Sequence, residues 1–527
     1  MRYTLSSQQT RTTGNTMTRS ILTLCLLCTY LFPLSAQEAS PKREFRAVWV
    51  ATVKNIDYPR QPSADPDELR AEYRRLLRGF RELGLNAVIF QVRPAADAFY
   101  RSALVPWSEY LTGYQGIGPK EGFDPLQFLI EETHRHGMEF HAWLNPYRAT
   151  TNLDTLTLSP RHAFYQHRDW MIRYGNKFYF NPALPEVRRH LNEVVAELVQ
   201  NYELDAIHFD DYFYPYKELG EVFPDSLDFR RYGAGLRDIE DWRRSNTDAL
   251  IQSLSETIRK LKPHVRFGVS PFGVWRNMER DPSGSPTRAG ASSYDDLYAD
   301  VLKWLREGWI DYVAPQLYWH IGFELADHER LLDWWSRNSF GKQLYIGHAF
   351  YKINNDRYEA WRLPEELPRQ ILLNRRNLSS SGSIFFRSEF LLRNPLGVTD
   401  SLRQLYEQPA LVPESPSTAP APAQPQLKRP RSRPDGILLH WRPSREERRS
   451  EQLPAYYVIY RFPAEKGGSF QDPRYILTVT PHLLHCDRNY YIDYSAEPGT
   501  PYIYAISAVN RYHREGPPKT TIMVRKR

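Results

Sequence analysis

Two adjacent carboxylates, Asp210 and Asp211, stand at the end of the short apolar run Ala206–Phe209 and before Tyr212. Like charges this close disfavour joint ionisation, so one acid stays protonated while the other ionises. That division suits the hydrolysis of a glycosidic bond, which needs one proton donor and one anion. Read as a strand, the run places His208 and Asp210 on one face, with Ile207 and Phe209 on the other. If Ile207 and Phe209 pack outward, His208 and Asp210 point inward and Asp211 begins the loop. Side chains of neighbouring residues diverge, so the second catalytic carboxylate is open among Asp97, Asp57 and Glu389. A spacing of about 5–5.5 Å would retain the anomeric configuration and about 6.5–9.5 Å would invert it. A helix cap, or a salt bridge to Arg93 or Arg148, is the structural alternative for the pair. A zinc site from His141, His208, His348 and Asp210 is the weaker chemical option, because no short ligand spacing supports it. No metal and no cofactor are expected.

Other runs of the same type end in polar and aromatic groups. They supply Asp57, Arg93 and Asp97, then Trp143, Asn145, Tyr147 and Arg148, and later Gln316, Tyr318 and Trp319. Carboxylates and amides bond sugar hydroxyls, and ring faces stack on the C–H surfaces of pyranoses. The expected binding set is therefore Asp57, Arg93, Trp143, Asn145, Tyr147, Arg148, His208, Tyr212, Gln316, Tyr318 and Trp319, around Asp210, Asp211 and Asp97. Aromatic residues make up 14% of the chain, with 13 Trp and 34 Tyr, which either large cores or stacking on sugars would explain.

The elements that must hold these groups recur eight times: Phe45–Val53, Ala87–Val92, Glu139–Leu144, Ala206–Phe209, Arg266–Val269, Tyr312–Ala314, Leu344–Ile346 and Ser383–Phe386. Amphipathic helical stretches lie between most of them, including Pro66–Leu83, Asp124–His136, Pro185–Tyr202, Asn246–Leu261 and Tyr294–Gly308. Gly84, Gly137 and Gly308 fall where helices end before strands. Eight such alternations predict an α/β fold, a (β/α)8 TIM barrel over 44–408, whose active sites lie at strand ends. The longer segments Thr151–Phe180 and Tyr214–Trp242 read as insertions at its mouth.

Five prolines within Pro413–Pro425 mark a semi-rigid linker, placed at 409–427. Short strands follow at Ile437–Trp441, Tyr456–Arg461, Tyr475–Val479 and Tyr502–Asn510. This last domain, 428–527, is expected to be a small all-β sandwich that resembles fibronectin type III, with Tyr502 as its corner tyrosine. From Pro425 onward the chain holds 18 Lys and Arg against 10 Asp and Glu, so the net charge of +7 belongs to this module. A basic surface is either a plain solvated face or a dock for envelope or wall polymers, while no motif for nucleic acid is present. At the other end, Arg2, Arg11 and Arg19 precede an apolar run, Ile21–Leu34, and Ser35-Ala36. This order reads as a signal peptide, 1–36, cleaved near Ala36, and places the mature protein in the periplasm or envelope of a bacterium. Of the three cysteines, Cys486 alone would then remain, leaving no internal disulfide.

Several separated motifs together resemble the glycosyl hydrolase-like ten family: Phe45–Val50, Gln91–Tyr100, Pro106-Trp107-Ser108 with Leu111-Thr112-Gly113, His141–Arg148, His208–Pro215 and Pro315–Trp319. The resemblance spans about Glu44 to Asn394. It implies a barrel that hydrolyses glycans of the bacterial envelope, including peptidoglycan strands stripped of peptide. By the same resemblance, Asp57, Asp97, Asn145, Asp210, Asp211, Gln316 and Tyr318 fall on motif positions, whereas Glu389 does not. The expected partner is a polysaccharide, either a wall glycan or a host or dietary one. A non-catalytic polysaccharide-binding protein is the alternative.

Overall fold

The computed structural model describes residues 40–450, 453–481 and 488–525. The leader expected at 1–36 and Cys486 lie outside the described residues. Eight parallel strands close a barrel: β1 (Phe45–Val50), β2 (Ala87–Arg93), β3 (Glu139–Leu144), β4 (Ala206–Phe209), β5 (Arg266–Val269), β6 (Tyr312–Val313), β7 (Gln343–His348) and β8 (Ser380–Phe385). β8 returns to β1 with Phe45 opposite Gly382 and Val48 opposite Phe385.

Strand alternation sorts the side chains as expected. Ile207 and Phe209 join the large apolar layer beneath the helices. The interior is a separate cluster built on Phe45, Trp49, Ile89, Tyr312 and Tyr345. Tyr312 crosses the lumen, and Gly268 stands beside it in register. A Cβ at Gly268 would lie 1.9 Å from the Tyr312 ring, so only glycine fits.

The helices begin where carboxylates cap them. Asp65 accepts from the Asp67 N–H before α1 (Pro66–Glu82), and Asp124 from the Gln127 N–H before α2 (Pro125–Arg135). α3 follows at Pro185–Asn201. α4 starts at Ile239, before the expected Asn246, because Asp238 caps a charged first turn that carries no apolar period. α5 is shorter than expected, Val301–Arg306, because Asp296 takes the Ser292 N–H into a turn and Asp300 caps Lys303. Gly84, Gly137 and Gly308 adopt φ of 73°, 74° and 70° between helix and strand. Among the described residues no helix is long and apolar enough to cross a membrane.

Beyond the barrel, β9 (Ile437–Arg442) pairs with β12 (Asn489–Asp493). A second antiparallel sheet runs in the order β11 (Ile476–Val479), β10 (Tyr456–Pro463), β13 (Pro501–Val509), β14 (Lys519–Val524). Trp441 is fully buried and meets Tyr457 edge-on at 5.5 Å. The corner role expected of Tyr502 is corrected. Tyr502 lies under the Arg461 guanidinium at 4.8 Å, whereas the buried Tyr504 donates its hydroxyl to Asp493 at 2.6 Å.

The linker reading is also corrected. The Ser415 N–H donates to the Tyr512 carbonyl at 2.9 Å, Arg514 reaches the carbonyls of Ser417 and Ala419, and Gly516 leaves room for Pro422. The proline-rich stretch is a strap fastened to the β-domain, and Pro41–Arg527 forms one compact unit. The contact reaches the barrel floor. Glu139, 1% exposed at the start of β3, accepts from Arg266 of β5 and binds His513 of the β-domain at 2.5 Å.

Candidate active site

At the opposite end of the barrel, a cleft of about 380 Å³ opens between the strand ends and their loops. Asp210 and Asp211 form part of its wall, 4% and 5% exposed. A chain of amides fixes what Asp210 receives. The N–H groups of Thr52 and Val53 both donate to Gln91 Oε1 at 2.9 Å. Gln91 must then present Nε2, which donates to Asn145 Oδ1 at 2.6 Å. Asn145 in turn has only Nδ2 left to offer, and it donates to Asp210. Arg148 steadies the same oxygen of Asn145 and lies over the Tyr212 ring at 5.4 Å. Trp143 turns its indole N–H toward Asp210, lowering its proton affinity a little, without closing a hydrogen bond.

Asp211 is better supplied. The Tyr216 hydroxyl donates to it, and Gln316 favours its ionised form from the next wall. Gln316 itself is held by the Ser270 carbonyl at 2.9 Å. Burial, then the charge of Asp211, pushes the Asp210 carboxyl up to about 7. Burial also raises Asp211, against the donors from Tyr216 and Gln316. Below about pH 7 the pair therefore holds a proton, mainly on Asp210.

Rings line the rest of the cleft. Trp49, Trp143, Phe272, Tyr318, Trp319 and Phe386 surround a space of sugar size. The Tyr318 hydroxyl makes no hydrogen bond among the described residues. Lys177 lies near Arg148 and Lys54; burial and their two charges lower its pKa, while Glu218 opposes them.

Of the residues expected from sequence, Asp210, Asp211, Trp143, Arg148, Tyr212, Gln316, Tyr318 and Trp319 meet at the cleft, with Asn145 directly behind Asp210. Five others do not line it. Asp57 is committed to the Ala51 and Glu389 N–H groups and to Arg387 at 3.0 Å, tying β1 to the segment after β8. Asp97 is 1% exposed, accepts from the Ala95 N–H at 3.0 Å, and is raised by burial to about 6. Arg93 is buried against the Asn145 carbonyl at 2.7 Å. Tyr147 packs in the outer apolar layer. His208 sits below the cleft, bonded to the Tyr312 hydroxyl and the Ser270 hydroxyl at 2.9 Å each, and burial holds it neutral. His141 shares the Tyr312 hydroxyl, while His348 is held by Gln370. Among the described residues no cluster of His, Cys, Asp and Glu is placed to hold a metal.

The binding set expected from sequence left out Trp49, Gln91, Tyr216, Phe272, Tyr351 and Phe386, which line the cleft. Trp49 and Gln91 were accessible to sequence reading, since both are inward positions near the ends of their strands. Tyr216 lies in an irregular loop that offers no period to read.

The family model of Glycosyl hydrolase-like 10 matches residues 44–362, which include every strand up to β7 and both aspartates. The chain belongs to this family. The Glycosyl hydrolase-like 10 chain is 45% identical over 483 residues to Glycosyl hydrolase YngK of Bacillus subtilis, covering 90% of this chain and 92% of that protein. It is 39% identical over 382 residues to Glycosyl hydrolase DigH of Escherichia coli K12, covering 68% and 86%. Among solved structures, the glycoside hydrolase domain of PgaB (BpsB) from Bordetella bronchiseptica is similar at a TM-score of 0.44 and 15% identity, over 69% of this chain and 99% of that one. Membership in Glycosyl hydrolase-like 10 supports a glycosidase acting on carbohydrate.

Proposed function

We propose that the protein is an exported hydrolase of bacterial wall glycan, acting on peptidoglycan strands freed of their peptides. The observation that carries this reading is the buried Asp210–Asp211 pair, sharing a proton at the wall of a ring-lined cleft. Removing peptides leaves carboxylates along the glycan, and Arg148 in the cleft wall, with the Lys177 and Lys54 charges near it, would attract such a polymer. The leader-like order of residues 1–36 supports export. On the β-domain, Lys428, Arg429, Arg431 and His440 gather around one hollow, which suits docking on an anionic envelope polymer.

The decisive experiment is release of reducing ends from purified, peptide-free strands. The native enzyme should release them, and the double variant Asp210→Asn, Asp211→Asn should not. Equal release by both would end the assignment. Retention on glycan without any product, unchanged by loss of the carboxylates, would favour the binding-protein reading instead.

A further inference from the structure

Glycosidases that work with two carboxylates place them on opposite sides of the sugar, one beside the leaving oxygen and the other facing C1 or its attacking water. Here both acids of the cleft are consecutive residues at the end of β4. In the closed strand order, the positions across the barrel from β4 belong to β1, β7 and β8. Those elements face the cleft with Trp49, Ala51, Ile56, Tyr351 and Phe386, none of which is an acid. Three acids on that side do not line the space: Asp57 and Glu389 are bound to Arg387, and Asp356, near Tyr351, is paired with Lys352 at 3.4 Å. Among the described residues, the far wall holds no carboxylate that could attack C1 or activate water.

We propose that the nucleophile comes from the substrate: the cleft takes a sugar bearing a 2-acetamido group, whose carbonyl oxygen attacks C1. This rests on the glycosidase reading above and specifies its mechanism. Asp210 gives its proton to the leaving oxygen as the C1–O bond breaks and the electron pair departs with that oxygen. The acetamide oxygen bonds C1 to close a five-membered oxazolinium ring. Asp211, ionised beside Tyr216 and Gln316, holds the acetamide N–H and balances the positive charge. The unpartnered Tyr318 hydroxyl is available to orient the acetamide oxygen. Water then attacks C1 and passes its proton to Asp210, and the C1–O bond of the ring breaks to restore the acetamide. Two displacements return the original anomeric configuration.

The test uses the full chain and three readouts. Peptide-free glycan strands are compared with the same strands after their amides are hydrolysed to free amines. The thiazoline of N-acetylglucosamine is added as a mimic of the ring intermediate, and the first-formed anomer is read by proton NMR. Expected are at least a hundredfold slower cleavage of the amine form, competitive inhibition by the thiazoline, and a retained product. Comparable cleavage of both strand types, no inhibition, or an inverted product would overturn the proposal while leaving a glycosidase in place. No cleavage of either strand would remove both. Glu218 is an exposed acid near Lys177. Glu218→Gln should stay within threefold of native, and a loss as deep as that of Asp211→Asn would restore a two-carboxylate scheme.

Discussion

The two ends of the barrel bury carboxylates in opposite ways. At the floor, Glu139 is surrounded by Arg266, His141 and His513, and the Arg266 and His513 charges outweigh its burial to hold its pKa well below the ordinary range. At the mouth, Asp210 and Asp211 are as buried but receive mainly neutral donors, so burial and mutual repulsion prevail. The floor has every charge answered, which is the arrangement of a structural joint. The mouth keeps one proton in an uncomfortable place, which is the arrangement of an acid ready to give it away.

Substitutions at the two ends should separate these roles. Asp210→Asn or Asp211→Asn should each lower kcat about a thousandfold with the fold intact, as loss of a positioned acid or its anionic partner would. A loss of folding instead would erase the contrast. Glu139→Ala should do the reverse: leaving Arg266 buried without its anion costs about 3–5 kcal/mol of stability, read by denaturant unfolding, with kcat per folded molecule unchanged.

Stability against pH sharpens the contrast. Asp210 binds its proton up to about pH 7 when folded but only up to the ordinary carboxylate range when unfolded. Between these values the unfolded chain releases the proton first, so the stability contributed by Asp210 is full below about pH 4 and lost as pH rises through about 7. Asp210→Asn should therefore gain on the order of 4 kcal/mol over native at pH 8 and almost nothing at pH 4. Native activity should fall over the same rise through pH 7. The smallest effect belongs to Asp97→Asn, which should stay within about threefold of native kcat, as expected of a group that does not touch substrate.

The barrel was legible because its rule is local. Alternation in Ala206–Phe209 sent Ile207 outward and His208 inward, and three of the eight strands carry the expected bounds. Legibility failed where a residue's depth, not its face, decides its role. His208 and Asp210 share a face, yet one step along the strand pair separates a neutral imidazole under Tyr312 from an acid in the cleft. Asp57 and Asp97 sit near strand ends as a catalytic acid would, but Arg387 claims the first and backbone packing the second. Those partners are distant or irregular in sequence and leave no period behind.

The strap from Pro413 to Pro425 makes composition a poor guide to where this polypeptide can be cut. Leu411 is paired on both sides with the residues that lead into β1, accepting from the Glu44 N–H at 3.0 Å and donating to the Lys42 carbonyl at 2.8 Å. Its side chain packs among Tyr456, Val458 and Val509. A version shortened after the eighth strand would leave the Lys42–Glu44 lead-in to β1 without its backbone partner and uncover Glu139 to water. The appended module is thus part of the chassis on which the cleft end is mounted, and an excised barrel should be the less durable protein.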